Sequence, residues 1–249
     1  MADLDHLTRH KRHLLLKEIG GPGLAKLSAA KLTIVGAGAL GGPCALYLAA
    51  AGVGQIEIFD GDTVDLSNLQ RQVQFNETEI GANKAETLAA RLTALNGEVV
   101  TLPRPVMFAR NTRPIGDILI DATDRFSARF DINDVAVEQA VDLVSGAAIG
   151  WTGQVAVYTP GRPQLGPCYR CFVPEDPGQA DDCETLGVVG AVTGITGARM
   201  ALEAIKLITG AGSGRPGQLW HFDALSGQSR IVQIHPDPDC SVCSAKTFL

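Results

Sequence analysis

The chain has 249 residues, 45% of them hydrophobic, and a formal net charge of −6. That length and apolar content suit one large domain with a substantial core, and the acidic balance without a basic run argues against general nucleic-acid binding. Residues 1–16 hold no uninterrupted apolar stretch and no apolar run reaches ~18 residues, so a cytoplasmic protein without a membrane segment is expected.

Residues 4–27 read as a helical arm broken at Gly20-Gly21-Pro22-Gly23. Leu14, Leu15, Leu16 and Ile19 supply an apolar stripe, and Arg9-His10-Lys11-Arg12-His13 forms a basic patch before it. Composition alone makes that patch a solvated face.

The next stretch organises the chain. Leu32-Thr33-Ile34-Val35 is a short apolar run of strand character, followed by Gly36, Gly38 and Gly41 in G-x-G-x-x-G spacing. The apolar pattern then turns helical through Ala45, Leu46, Leu48, Ala49 and Ala50. A second strand, residues 55–59, ends at Asp60. Strand, glycine turn, helix, strand and acid make the first unit of a doubly wound, Rossmann-like nucleotide-binding fold. Gly36 permits the tight turn, Gly38 lets phosphate approach the backbone, and Gly41 lets helix and strand pack. The helix N-terminus offers N–H donors to an anion. Asp60 lies 24 positions after Gly36, near the ~20-residue offset of a ribose-binding acid. These features specify an adenosine compound and leave NAD and ATP both open.

Residues 77–96 look helical and contain Lys84, and a strand follows at 98–102. Pro103 and Pro105 then mark an irregular connection. Residues 115–123 form a strong strand ending in Asp121-Ala122-Thr123-Asp124, where open α/β sheets bind ligands. Its two acids, three apart, suit either Mg²⁺ or a helix cap. A helix over 125–140, a strand at 141–145, an alternating strand at 154–158, a buried small-residue helix over 187–210 and strands at 219–222 and 229–234 complete the expected elements. The fold class is thus a mostly parallel α/β sheet with an antiparallel C-terminal extension.

Of six cysteines, four form two C-x-x-C pairs, Cys168/Cys171 and Cys240/Cys243, separated by 68 residues. Four thiolates make a closed tetrahedral Zn²⁺ site, which leaves no open position and is therefore structural. Cys44, among Ala and Leu on the first helix, reads as a small buried hydrophobe. Cys183 follows a loop rich in Pro, Gly and Asp and precedes a helical segment, where a thiol pKa can fall. Its neighbours Asp181, Asp182 and Glu184 oppose a thiolate.

Residues 36–41, 60–72, 121–124, 168–171 and 240–243, in that order, resemble the ubiquitin-activating-enzyme superfamily in its bacterial ThiF/MoeB/HesA branch. The resemblance spans nearly the whole chain. It implies ATP-dependent adenylation of the C-terminal glycine carboxylate of a ubiquitin-like sulfur carrier protein ending in Gly-Gly (ThiS or MoaD type). Pyrophosphate is released, and the adenylate then accepts sulfur for thiamine or molybdopterin biosynthesis or another thiolation.

By the same resemblance Gly36, Gly38, Ala39, Leu40, Gly41, Asp60, Asp62, Asn68, Arg71, Gln72, Lys84 and Asp124 form the ATP site. Arg71, Lys84 and Arg12 meet phosphate, Asp124 organises Mg²⁺, and Asp121 is structural. Arg12 reaches the partner's site in a homodimer, and Cys183 matches a sulfur-transfer thiol. The expected division is an arm at 1–30, a nucleotide-binding half at 31–150 and a zinc-clipped, carrier-binding half at 151–249.

Ala39 replaces a usual glycine. No sulfurtransferase domain follows Cys243, so a separate sulfur donor is expected. Residues 42–48 and 187–190 look ThiF-like, whereas 143–149 look MoeB-like, so pathway stays open. An NAD-dependent oxidoreductase would leave Arg71, Lys84 and the cysteine pairs unexplained. A tRNA-modifying dehydratase of the same superfamily fits poorly with the acidic charge, and a non-catalytic scaffold fits poorly with the full set of ATP-site residues.

Overall fold

The computed structural model describes residues 2–116, 118–160, 166–175, 187–212 and 216–244. The arm comprises α1 (Ala2–Arg9), α2 (Lys11–Leu14) and α3 (Gly20–Ala29). The glycine cluster expected to break the arm instead opens α3. Pro22 sits in its first turn, where a missing N–H costs no helical hydrogen bond. The break lies just before it, at residues 15–19.

The remaining elements are β1 (Lys31–Val35), α4 (Gly41–Ala51), β2 (Gln55–Phe59), α5 (Lys84–Leu95), β3 (Val100–Arg104), β4 (Ile118–Asp121), α6 (Phe126–Glu138), β5 (Asp142–Ile149), β6 (Thr152–Tyr158), α7 (Gly190–Thr209), β7 (Gln218–Asp223) and β8 (Gln228–Gln233). They build an eight-stranded sheet in the order β3-β2-β1-β4-β5-β6-β7-β8. The first five strands are parallel. The last three joints are antiparallel. This is the doubly wound sheet with an antiparallel extension that the sequence predicts.

β1 lies at the switch point, with β2 on one side and β4 on the other. Its Leu32 and Ile34 are fully buried, and Ile34 stands in register with Ile58 and Ile120. A strand covered on both faces must be apolar throughout, which is why the run reads as continuous and not alternating. α4 is buried nearly all round, and its small residues let α7 close on it. A Cβ at Gly197 of α7 would stand 2.5 Å from the Leu40 carbonyl oxygen, so glycine sets that approach.

Several boundaries differ from expectation for local reasons. The region 77–96 divides into a 3₁₀ turn at Glu77–Glu79 and α5, because Gly81 takes φ +88 between them. Pro103 lies inside β3, which is an edge strand and tolerates a missing ladder donor. The strand expected to stop at 145 runs on to Ile149 through pairing with β6. Among the described residues no helix is long and apolar enough to cross a membrane.

Candidate functional site

A cleft opens at the C-terminal ends of β1, β2 and β4, where the chain reverses direction across the sheet. It encloses about 1080 Å³, its mouth included. The glycine turn forms its floor. Gly36 takes φ +97, and a Cβ there would come within 2.7 Å of the Ala122 carbonyl oxygen. A Cβ on Gly41 would strike the Gly36 carbonyl. Gly38 differs: the nearest atom to a Cβ there is Gln72 Nε2 at 3.5 Å, so this residue is bare for a ligand and not for packing. Ala39 lines the cleft without positive φ, so the missing glycine leaves the turn intact. Leu40 precedes α4 with no side-chain cap; the Gly42 N–H donates to the Gly38 carbonyl at 2.9 Å and Pro43 has no N–H, so the Gly41 N–H is the donor of the first turn left to an anion.

Asp60 ends β2 and is nearly buried. Its Oδ2 accepts the Ala37 N–H at 2.7 Å and its Oδ1 accepts the Asp62 N–H at 2.9 Å. Burial pushes its carboxyl pKa up, while those two N–H groups and the Lys84 charge oppose the rise. Lys84 is buried at the start of α5, with Nζ 3.4 Å from Asp62 Oδ2. Asn83 holds this corner: its Nδ2 donates to the carbonyls of Asp60 and Asp62, and its Oδ1 caps α5 at Glu86 N–H. A lysine rarely buries without a partner, and here its charge is aimed at the cleft wall shared with Asp60 and Asp62.

Arg71 lines the cleft and donates from Nη1 to the Ser67 carbonyl at 3.0 Å. Gln72 is buried in the same wall, and its Oε1 has no hydrogen-bond partner. Asp124 is exposed at the rim, free to face a cation or solvent. Asp121 is engaged instead. It accepts from Thr123 N–H and hydroxyl and from the Ser145 hydroxyl at 2.7 Å, which fixes the end of β4 against β5. Two expected residues stand elsewhere. Asn68 and Arg12 do not line this cleft; Arg12 is exposed on α2. Cys183 lies outside the described residues. Cys44 is fully buried, and burial pushes its thiol pKa far up, so it is inert.

Three contributors escape the sequence patterns. Gln74 Nε2 donates to the carbonyls of Ala37 and Gly38, latching the glycine turn from a point 37 residues away. Arg129 is buried in α6, and its Nη2 donates to the carbonyls of Thr123 and Gly146. Phe108, in the irregular connection after β3, meets Phe59 edge-on at 5.3 Å and adds an aromatic wall. Only Phe108 left a trace in sequence, as an apolar residue after two prolines.

The four paired cysteines converge. Cys168 Sγ lies 4.0 Å from Cys171 Sγ and 3.7 Å from Cys240 Sγ, and Cys171 Sγ lies 3.5 Å from Cys243 Sγ. A tetrahedron with Zn–S of ~2.3 Å has sulfurs about 3.8 Å apart, so the spacing fits zinc. The Asp237 N–H donates to Cys171 Sγ at 3.4 Å, as a bound thiolate requires. α6 holds the first knuckle: Asn133 Oδ1 accepts the Tyr169 N–H at 2.7 Å, and Arg170 pairs with Asp134 while its guanidinium lies 4.2 Å over Phe130.

Fold and cleft together define a doubly wound nucleotide-binding domain that carries a four-cysteine cluster with the spacing of a zinc site. Residues 10–242 match the ThiF family, and the chain belongs to it. It is 38% identical to the SAMP-activating enzyme E1 of Haloferax volcanii, over 97% of this chain and 90% of that protein. It is 41% identical to the adenylyltransferase and sulfurtransferase MOCS3-1 of Zea mays, over 96% of this chain; the chain spans about half of that relative's length, 52%. Among solved structures, E. coli MccB with MccA-N7isoASN superposes with a TM-score of 0.84 at 22% identity, covering 95% of this chain and 74% of that one. PaaA gives 0.78 at 21% identity, covering 92% and 74%. These two likenesses concern the fold.

Proposed function

We propose that the chain is an adenylyltransferase that transfers AMP from ATP to the C-terminal glycine carboxylate of a ubiquitin-like sulfur carrier ending in Gly-Gly. The observation that carries this reading is one cleft holding a bare Gly38 beside Asp60, Arg71, Lys84 and Asp124. Its sequence relatives, a SAMP-activating E1 and an adenylyltransferase and sulfurtransferase, support it.

A carboxylate is a poor electrophile until it is joined to a good leaving group. Here it attacks the α-phosphorus of ATP, an acyl–phosphate bond forms, and pyrophosphate departs. The nucleophile is already ionised, so no general base is needed. The protein supplies position and positive charge. Asp60 accepts the ribose hydroxyls. The turn at Gly36–Gly41 and the N-terminus of α4 receive phosphate oxygens, and Arg71 and Lys84 offset the charge on the leaving pyrophosphate. Asp62, paired to Lys84, keeps that ammonium turned to the cleft. Asp124 is the carboxylate that would hold Mg²⁺, which when bound offsets phosphate charge. Arg12 sits outside its own cleft and acts in this reading on a second subunit's. The four cysteines hold structural zinc. A sulfide-level sulfur nucleophile supplied by a separate donor then attacks the acyl carbon, a C–S bond forms, AMP leaves, and a carrier thiocarboxylate remains for thiamine or molybdopterin synthesis.

ATP–pyrophosphate exchange against purified ThiS-like and MoaD-like carriers tests the reading. Exchange that depends on a carrier supports it, and the responding carrier names the pathway. ATP binding without exchange with any carrier overturns it.

A further inference from the structure

The N-terminal arm gathers a second set of metal-ligating groups, distant in sequence from the cysteines. His10 follows His6 by one helical turn, its N–H donating to the His6 carbonyl at 3.1 Å, and the two rings stand 4.7 Å apart. Glu98, just before β3, brings Oε2 to within 2.6 Å of His6 Nδ1. One ligand atom from each of His6, His10 and Glu98 lies within 4.8 Å of the others. His10 is the telling member. It is 2% exposed and packs on Gly52, where a Cβ would come 2.7 Å from its ring. Its Nε2 is buried and has no hydrogen-bond partner. Leaving a buried polar nitrogen unpaired costs about 1–3 kcal/mol, so it calls for a ligand.

We propose that His6, His10 and Glu98 bind a divalent cation of the zinc class, at a site separate from the four cysteines. Two imidazoles and one carboxylate on a helix turn and a facing loop are a donor set for such ions. Zn–N and Zn–O bonds of ~2.0–2.2 Å put ligand atoms roughly 3.4 Å apart. Burial first, then His6, His13 and Arg9, lowers the His10 pKa against the pull of Glu98, the direction that favours a neutral, ligating ring. The site ties α1 to the segment after α5, alongside the Arg9 Nη1 bond to the Leu95 carbonyl at 3.1 Å. That fixes the segment on which Arg12 stands.

The test is zinc content of the whole chain after equilibrium dialysis against micromolar free Zn²⁺, wild type beside a His6→Asn/Glu98→Gln double variant. Glu98 is exposed and His6 half-buried, so the fold tolerates both changes. The other four histidines and all cysteines remain, which cancels non-specific and cysteine-bound zinc. The expected result is one zinc fewer per variant chain, together with loss of a zinc-dependent rise in Tm that the wild type shows. Equal zinc content and equal Tm response in the two proteins would overturn the site. His10→Gln, which removes the orphaned nitrogen, should behave as the double variant does; if it keeps the extra zinc, the assignment of His10 falls.

Discussion

The carboxylate of Asp60 takes the amide of Ala37 at 2.7 Å, across the gap between the ends of β2 and β1. The acid that offers itself to a ribose thus also holds the turn that receives phosphate. With the Asp62 N–H on its other oxygen, each oxygen is half committed to protein and half free. Asp60→Asn places an NH₂ donor against one of these N–H groups. We expect ATP binding to be lost and stability to fall by ~1–3 kcal/mol, measured by titration calorimetry and thermal unfolding.

Gly36 and Gly38 look equivalent in sequence and should respond differently. Gly36→Ala meets positive φ and the Ala122 carbonyl together, and should destabilise the chain by about 2 kcal/mol or more. Gly38→Ala meets only the Gln72 side chain, at an ordinary 3.5 Å contact, and should unfold at nearly the wild-type temperature while losing ATP affinity.

Arg12 and Asp124 divide the site between subunits in the proposed reading. Each alanine variant alone should lose carrier-dependent exchange by roughly 100-fold. Mixing and refolding equal amounts should restore roughly a quarter of wild-type activity, because random pairing builds one complete site in half of the dimers. No recovery on mixing would place Arg12 outside the partner's cleft.

Cys240→Ser should release the cysteine-bound zinc and lower Tm. In the wild type, titrating thiols with a mercurial should free that zinc in step with the four sulfurs. α6 grips the first knuckle through Asn133 and Asp134, so those contacts should show faster amide exchange in the variant.

The pKa of His10 gives a sign for pH dependence. Burial first, then His6, His13 and Arg9, lower it in the fold, and Glu98 opposes them. The unfolded chain therefore takes up the proton more readily. The arm's contribution is fully present above the ordinary histidine pKa of ~6.5 and is lost as pH falls through the lowered value. Thermal unfolding across that range should show the loss in wild type and a smaller one in His10→Gln, measured without added metal.

Much of this was legible because it is local. The β1 run, the glycine spacing and Asp60 all fall within 30 residues and obey one steric rule, that phosphate and helix must approach a bare backbone. The C-x-x-C pairs carried their own geometry, since each spans a single turn. What stayed hidden depends on contacts made only after folding. Gln74 reaches its two carbonyls from beyond a loop, Arg129 shows no pattern that separates it from a surface arginine, and Pro103 reads as a breaker until its strand is known to be at an edge. Gly20 misled for a related reason: a glycine–proline cluster marks a chain reversal, and the sequence does not say on which side the helix lies.

The two cysteine knuckles join at one point the ends of a segment that holds α7, β7 and β8, spanning 72 positions from Cys168 to Cys240. A tether of that length is insensitive to its own length, because doubling a flexible loop costs only about 0.6 kcal/mol. The exposed β7–β8 turn at Leu225–Gly227 can therefore lengthen without loosening the clamp or moving Thr193 at the cleft. Within this fold it is a place where new recognition sequence can be added while the ATP site stays as it is.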